Sequence, residues 1–284
     1  MSQNRLRTLL ILMIAIGIGC APAPAQNNTP LPELRSKRLL NELQVTVAPT
    51  RYLGSDLAIG LVVRYGAIYD LAGKEGVAHL VSRMLLKASL EKTAEDIETE
   101  LAYLSATIEV KCDWDGFRII LRGQSPNVER SLLLLYQVVG EAQFNEADFN
   151  AARQAVLADL QKPPDPRQRI HRQFEDVLFA GTRYGISLEG TQRSLANISL
   201  GDVRYFYKRF FSPSQSSLII VGDVSARQVL QQAARIWGIW VRSEDIPFTF
   251  KQAIKPAGRQ IFIEDDPSSP AAQFILGNMF PRRE

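Results

Sequence analysis

Residues 57–65 read Leu-Ala-Ile-Gly-Leu-Val-Val-Arg-Tyr, nearly all apolar, and such a run belongs in the middle of a sheet. Gly66 and the loop at 70–76 end it, and a helix opens near Gly76 carrying His79, Ser82, Arg83 and Leu86. The other elements are arranged around this strand–turn–helix unit. Residues 44–47 alternate polar and apolar, as a half-buried strand does. Thr93 with Asp96 forms a capping-box pattern that opens a helix to about Leu104. Residues 107–112 and 117–122 read as strands joined by Asp113-Trp114-Asp115-Gly116, where Asp-Gly is a hairpin signal. Helices are predicted at 127–139, at 145–161 up to Pro163-Pro164, and at 166–179. Ser199 with Asp202 caps a helix towards Phe211, residues 217–221 form a short apolar strand, and Ser225 with Gln228 caps a helix to about Trp240. Strands and helices follow one another in runs, without strict β-α-β alternation. That order predicts an α+β domain, with helices packed on a largely antiparallel sheet.

The ends of the chain have a different composition. Arg5 and Arg7, the apolar run 9–18 and the small residues 21–25 read as a signal peptide over 1–25. Cleavage after Ala25 leaves Gln26 as the new terminus. A lipobox reading of residues 17–20 instead places a lipid anchor on Cys20. Either way the chain is exported, to the periplasm or as a membrane-anchored lipoprotein. Residues 26–39 read as a mobile leader, 40–245 as the main domain, and 246–258, with Pro247 and Pro256, as a linker. Two further strands are expected at 260–264 and 273–279. Two strands cannot build a core of their own, so residues 259–284 read as the start of a second, truncated domain. The formal net charge of +3, without a basic run or aromatic–basic interleaving, offers no nucleic-acid surface. With Cys20 in the export segment, Cys112 is alone and reads as a structural thiol.

The chemistry concentrates in His79-Leu80-Val81-Ser82-Arg83. Positions i, i+3 and i+4 share one face of a helix. Two histidines at i and i+4 can grip zinc while a glutamate at i+3 activates the bound water. Here i+3 is Ser82, which is no base at neutral pH, and i+4 is Arg83, which has no lone pair for a metal and stays charged. A lone histidine at the start of an apolar helix is by default a satisfied core or capping residue. Asp159 on a long helix is by default solvated, and His171 among Arg167, Arg169 and Arg172 reads as a charged helix face. No phosphate loop is present, because Gly66, Gly73 and Gly76 lack its spacing and its lysine.

The lead-in at 61–67, then Gly73-Lys74-Glu75-Gly76-Val77-Ala78-His79-Leu80, resembles the M16 peptidase family of insulinase-like, pitrilysin-like and mitochondrial processing peptidases. The resemblance continues through Phe144 and the helix to Gln161, through Tyr184-Gly185 and Gly190 with Arg183 where proline is usual, and through residues 206–213 and 218–224. Residues 273–277 resemble the opening of the family's second repeat. The resemblance implies the LuxS/metallohydrolase-like fold and places this chain against an inverted zinc motif, residue by residue. His79 falls on the first zinc histidine, Ser82 on the glutamate base, Arg83 on the second histidine and Asp159 on the third ligand, a glutamate in the family. Active members use zinc; here no metal and no cofactor are expected, and these four residues are vestigial. An Arg83–Asp159 charge-assisted hydrogen bond is predicted in place of the metal. The resemblance also implies that the edge strand of Ala106, Thr107, Ile108, Glu109, Val110 and Lys111 takes an extended peptide by β-augmentation. The expected partner is an active M16 peptidase subunit. The alternatives are an active zinc metalloendopeptidase with an atypical site and a structural homologue with no peptide role.

Overall fold

The computed structural model describes residues 33–51, 54–162, 166–244, 258, 261–263 and 272–278. Among the described residues six strands form one sheet: β1 (Arg35–Arg38), β2 (Gln44–Pro49), β3 (Asp56–Val63), β4 (Thr107–Cys112), β5 (Phe117–Gln124) and β6 (Ser216–Gly222). Their order is β1-β2-β6-β3-β5-β4, and only the β2–β6 pairing is parallel. The apolar run therefore occupies an inner strand, with Ile59 paired to Leu121 on one side and Ile220 on the other.

The period of two decides which face is covered. Val45, Val47, Leu57, Ile59, Leu61, Val63, Phe117, Ile119, Leu121, Leu218 and Ile220 are all buried on one face. Their alternates Thr46, Ala58, Val62, Ile120 and Val221 are half-buried, and Ile219 is exposed. Eight helices are described: α1 (Val77–Met84), α2 (Ala94–Tyr103), α3 (Val128–Gly140), α4 (Glu146–Gln161), α5 (Pro166–Leu178), α6 (Gln192–Asn197), α7 (Leu200–Phe210) and α8 (Ala226–Trp237). The buried sheet face and the apolar sides of these helices form one core, with Trp237, Phe117, Met84 and Leu135 fully enclosed. The α+β architecture is as expected.

The caps explain several boundaries. Thr93 and Asp96 form a reciprocal capping box at α2, and Ser199 and Asp202 form another at α7. Ser225 makes no side-chain cap at α8, and that helix ends at Trp237 rather than Trp240. There the chain turns so that the Asn41 side-chain amide donates to the carbonyls of Trp237 and Trp240.

Two expectations about the ends need correction. The mobile-leader reading fails at Arg35–Arg38, which is strand β1 paired antiparallel to β2. All four of its side chains are exposed, so it carries no apolar alternation; main-chain pairing to β2 and a hydroxyl contact between Ser36 and Thr46 at 2.9 Å hold it in place. The two C-terminal strands are not formed at 261–263 or 272–278, and most of these side chains are exposed, with no sheet neighbour among the described residues. The remainder of the second-domain reading, most of the linker and the whole 1–25 segment lie outside the described residues. Among the described residues, no helix is long and apolar enough to cross a membrane.

Candidate functional site: a rebuilt pentad

Helix α1 packs against α7, α4 and the end strand β4. Its buried side is Val77, Ala78, Leu80, Val81 and Met84; His79 and Ser82 are half-buried, and Arg83 is exposed. The helix starts where it does because of a residue well upstream. Buried Asp70 accepts hydrogen bonds from the Gly76 amide at 2.7 Å and the Ala78 amide at 3.0 Å, satisfying two donors that a helix start leaves open. Gly76 has φ 103°, and a Cβ there would lie 2.7 Å from the Glu189 carbonyl oxygen, so only glycine fits the turn. The Arg183 guanidinium donates to the Ile68 carbonyl at 2.9 Å and also to the Asp70 carbonyl. Arginine at this position thus ties the 183–185 turn to the loop that caps α1.

Burial pushes the Asp70 carboxyl up to about 7, outweighing the two amides and Arg183, which pull it down. Burial also pushes the Cys112 thiol well above its usual range, with Asp70 nearby adding to the effect, which suits a structural thiol.

His79, Ser82, Arg83 and Asp159 come together. The Ser82 hydroxyl donates to the His79 carbonyl at 2.7 Å, an i→i−3 bond that occupies it within its own helix. An Arg83 Nη donates to Asp159 Oδ2 at 3.3 Å, joining α1 to α4, so the predicted contact is present. It is not exclusive: Lys162 Nζ donates to Asp159 Oδ1 at 2.6 Å. The Lys162 hydrogen bond is the main reason the Asp159 carboxyl lies below its usual value, with Arg83 adding a smaller pull. Burial holds the His79 imidazole below its ordinary value; Arg83 acts in the same direction, while Glu189 and Asp159 oppose it.

This set of groups does not fit a catalytic zinc, which takes three protein ligands and a water. His79 and Asp159 are two donors, and Asp159 is already shared between two cations. Arg83 supplies positive charge where another ligand is needed. Among the described residues no group of three His, Cys, Asp or Glu side chains is placed to hold a metal.

The expected peptide edge is also where the sheet ends. Thr107, Glu109 and Lys111 are exposed on β4, Ile108 and Val110 are half-buried against the core, and Ala106 precedes the strand, half-buried. Glu109 and Lys111 pair at 2.6 Å, so the edge carries no net charge from them. Asp70, Lys162, Arg183 and Glu189 complete the site beyond the predicted residues. Only Lys162 has a local signal, its i+3 spacing from Asp159.

Comparison with known proteins agrees with this layout. The profile described as insulinase (peptidase family M16) matches residues 51–192, and that of the peptidase M16 inactive domain matches residues 197–283. The zinc protease PqqE of Helicobacter pylori is 22% identical over 203 residues, covering 71% of this chain and 46% of its own. A probable mitochondrial-processing peptidase subunit beta of Arabidopsis thaliana is 20% identical, covering 86% of this chain and 46% of its own. The chain spans about half the length of such curated relatives. Among solved structures, a protease from Helicobacter pylori matches with TM-score 0.71 at 19% identity, covering 79% of this chain and 54% of that one. A peptidase M16 inactive domain from Pseudomonas fluorescens matches with TM-score 0.71 at 21% identity over the same shares. With the family profile matching half of its length and the fold shared with solved members, this chain belongs to peptidase family M16.

Proposed function

We propose that this chain is an exported, non-catalytic M16 subunit that pairs with an active zinc peptidase of the same family and helps to hold extended peptides. The observation that carries this reading is the state of the pentad. Ser82 is bonded to the His79 carbonyl and Arg83 to Asp159, so general base and second histidine are both replaced by groups with other partners. General acid–base groups contribute about 10²–10⁴-fold to rate, and loss of a metal ligand adds to that deficit. The scaffold around the lost chemistry is intact, with a capped α1 and β4 as the end strand of the sheet among the described residues. Export is supported by the charged, apolar and small-residue order of residues 1–25, and a relative of known structure is described as the periplasmic protease PqqL of Escherichia coli. Pairing is supported by relatives described as subunits, among them the mitochondrial-processing peptidase beta chains.

The test mixes the purified chain with an M16 peptidase that has an intact pentad. Alone, the chain should hydrolyse no peptide above background; mixed, it should form a complex by sedimentation velocity and raise the peptidase's turnover of extended peptides. Failure to form a complex under conditions that preserve weak association would contradict pairing. Hydrolysis by the chain alone, abolished by a chelator and surviving Ser82→Ala, would restore the reading of an active metalloendopeptidase.

A further inference from the structure

We propose that the Arg83 end of α1 binds the free C-terminal carboxylate of a peptide lying along β4, making the rebuilt pentad a receptor for peptide ends. This rests on the reading that β4 takes extended peptides, and names the chemical class held there.

The argument begins with charge. Arg83 and Lys162 share a single carboxylate, Asp159, which leaves a surplus of one positive charge. The closer of the two contacts belongs to Lys162, at 2.6 Å against 3.3 Å. Glu189, the other carboxylate that faces His79, is held by Arg172 at 3.0 Å and is not available to cancel the surplus. The Arg83 side chain is 44% exposed, so it can meet a ligand without moving. A guanidinium carries five N–H donors, and one of them is used on Asp159 among the described residues. A carboxylate accepts two parallel N–H bonds from such a group, whereas a terminal amide sets its own N–H against donors. Ser82 does not compete for the incoming oxygens as a donor, because its hydroxyl is given to the His79 carbonyl. Finally, α1 lies against β4, so a peptide pairing with that strand runs beside the helix that carries Arg83.

The chemistry recognised is a carboxylate, which a peptide can offer at its C-terminus or on a side chain. Three fluorescein-labelled octapeptides of one otherwise uncharged sequence separate these: a free acid, a C-terminal amide, and an amide whose last residue is glutamate. Fluorescence anisotropy is read on the full chain, alone and in complex with the active peptidase rendered inert by chelation. The free acid should bind about tenfold more tightly than the amide, as one charge-assisted hydrogen bond provides. Arg83→Gln should abolish that preference, and Arg122→Gln on β5 should leave it intact. Asp159→Asn, which removes the internal competitor, should enlarge it. Equal binding of acid and amide overturns the inference while leaving peptide holding in place. Equal binding of the free acid and the glutamate amide overturns the assignment to a chain end. Binding of neither peptide, alone or in the complex, overturns both this inference and the peptide-holding reading.

Discussion

Asp70 offers the most direct physical check on how α1 is held. It is 2% exposed and accepts from the amides of Gly76 and Ala78, so the ionised form keeps two hydrogen bonds while burial removes most of its contact with bulk solvent. Burial dominates and raises the folded-state pKa from 3.8 to about 7. The sign follows from linkage. A carboxyl whose folded pKa is raised binds its proton more readily when folded, so its contribution favours the folded state at low pH. That contribution is lost as pH rises from about 4 to about 7. At about 1.4 kcal/mol per pH unit, the loss is up to about 4 kcal/mol. Asp70→Asn removes the titration, keeps one acceptor oxygen and lacks the charge. Urea unfolding of both proteins at pH 5 and pH 8 should show the variant gaining on the wild type as pH rises. His79 works in the opposite direction, because its lowered pKa favours the folded state above about pH 6.5 and that stability is lost as pH falls. It titrates in both proteins, so subtracting one from the other isolates Asp70. Wild-type and variant stabilities that run parallel across this range would refute the account of a buried, ionisable cap.

Other outcomes follow from the same structure. Gly76→Ala combines a φ of 103° with a Cβ 2.7 Å from a carbonyl oxygen, and should destabilise the chain by about 1–3 kcal/mol or more in thermal unfolding. Cys112 should react slowly with a thiol reagent in the folded protein and rapidly in urea, because burial keeps it as the neutral thiol; fast native labelling would contradict this. Ser82→Glu alone should create no peptidase activity, since Arg83 still stands where a ligand is needed; chelator-sensitive hydrolysis by this variant would contradict the reading.

Much of this molecule is legible in its sequence where local chemistry decides the structure. The inner strand, the Asp-Gly hairpin and the capping boxes at Thr93 and Ser199 are read within a few residues of chain. The Arg83–Asp159 contact is legible through the family layout plus opposite charge. What escapes such reading is non-local. Asp70 caps α1 across an intervening loop, a spacing that no capping pattern describes. Glu189 reaches the pentad only because the 187–190 turn packs on Gly76. β1 is invisible to hydrophobic periodicity because all four of its side chains are exposed, and it is held by main-chain pairing to β2 with one hydroxyl contact between Ser36 and Thr46. The expected strands near the C-terminus have suitable residues but no sheet neighbour among the described residues.

On the proposed reading, the Arg83–Asp159 ion pair stands where an active relative holds its metal. Zinc offered in excess to the purified full chain, followed by dialysis and elemental analysis, tests it most directly. The account predicts well under one equivalent per chain, unchanged by His79→Ala. One equivalent retained by the wild type and lost on that substitution would contradict it.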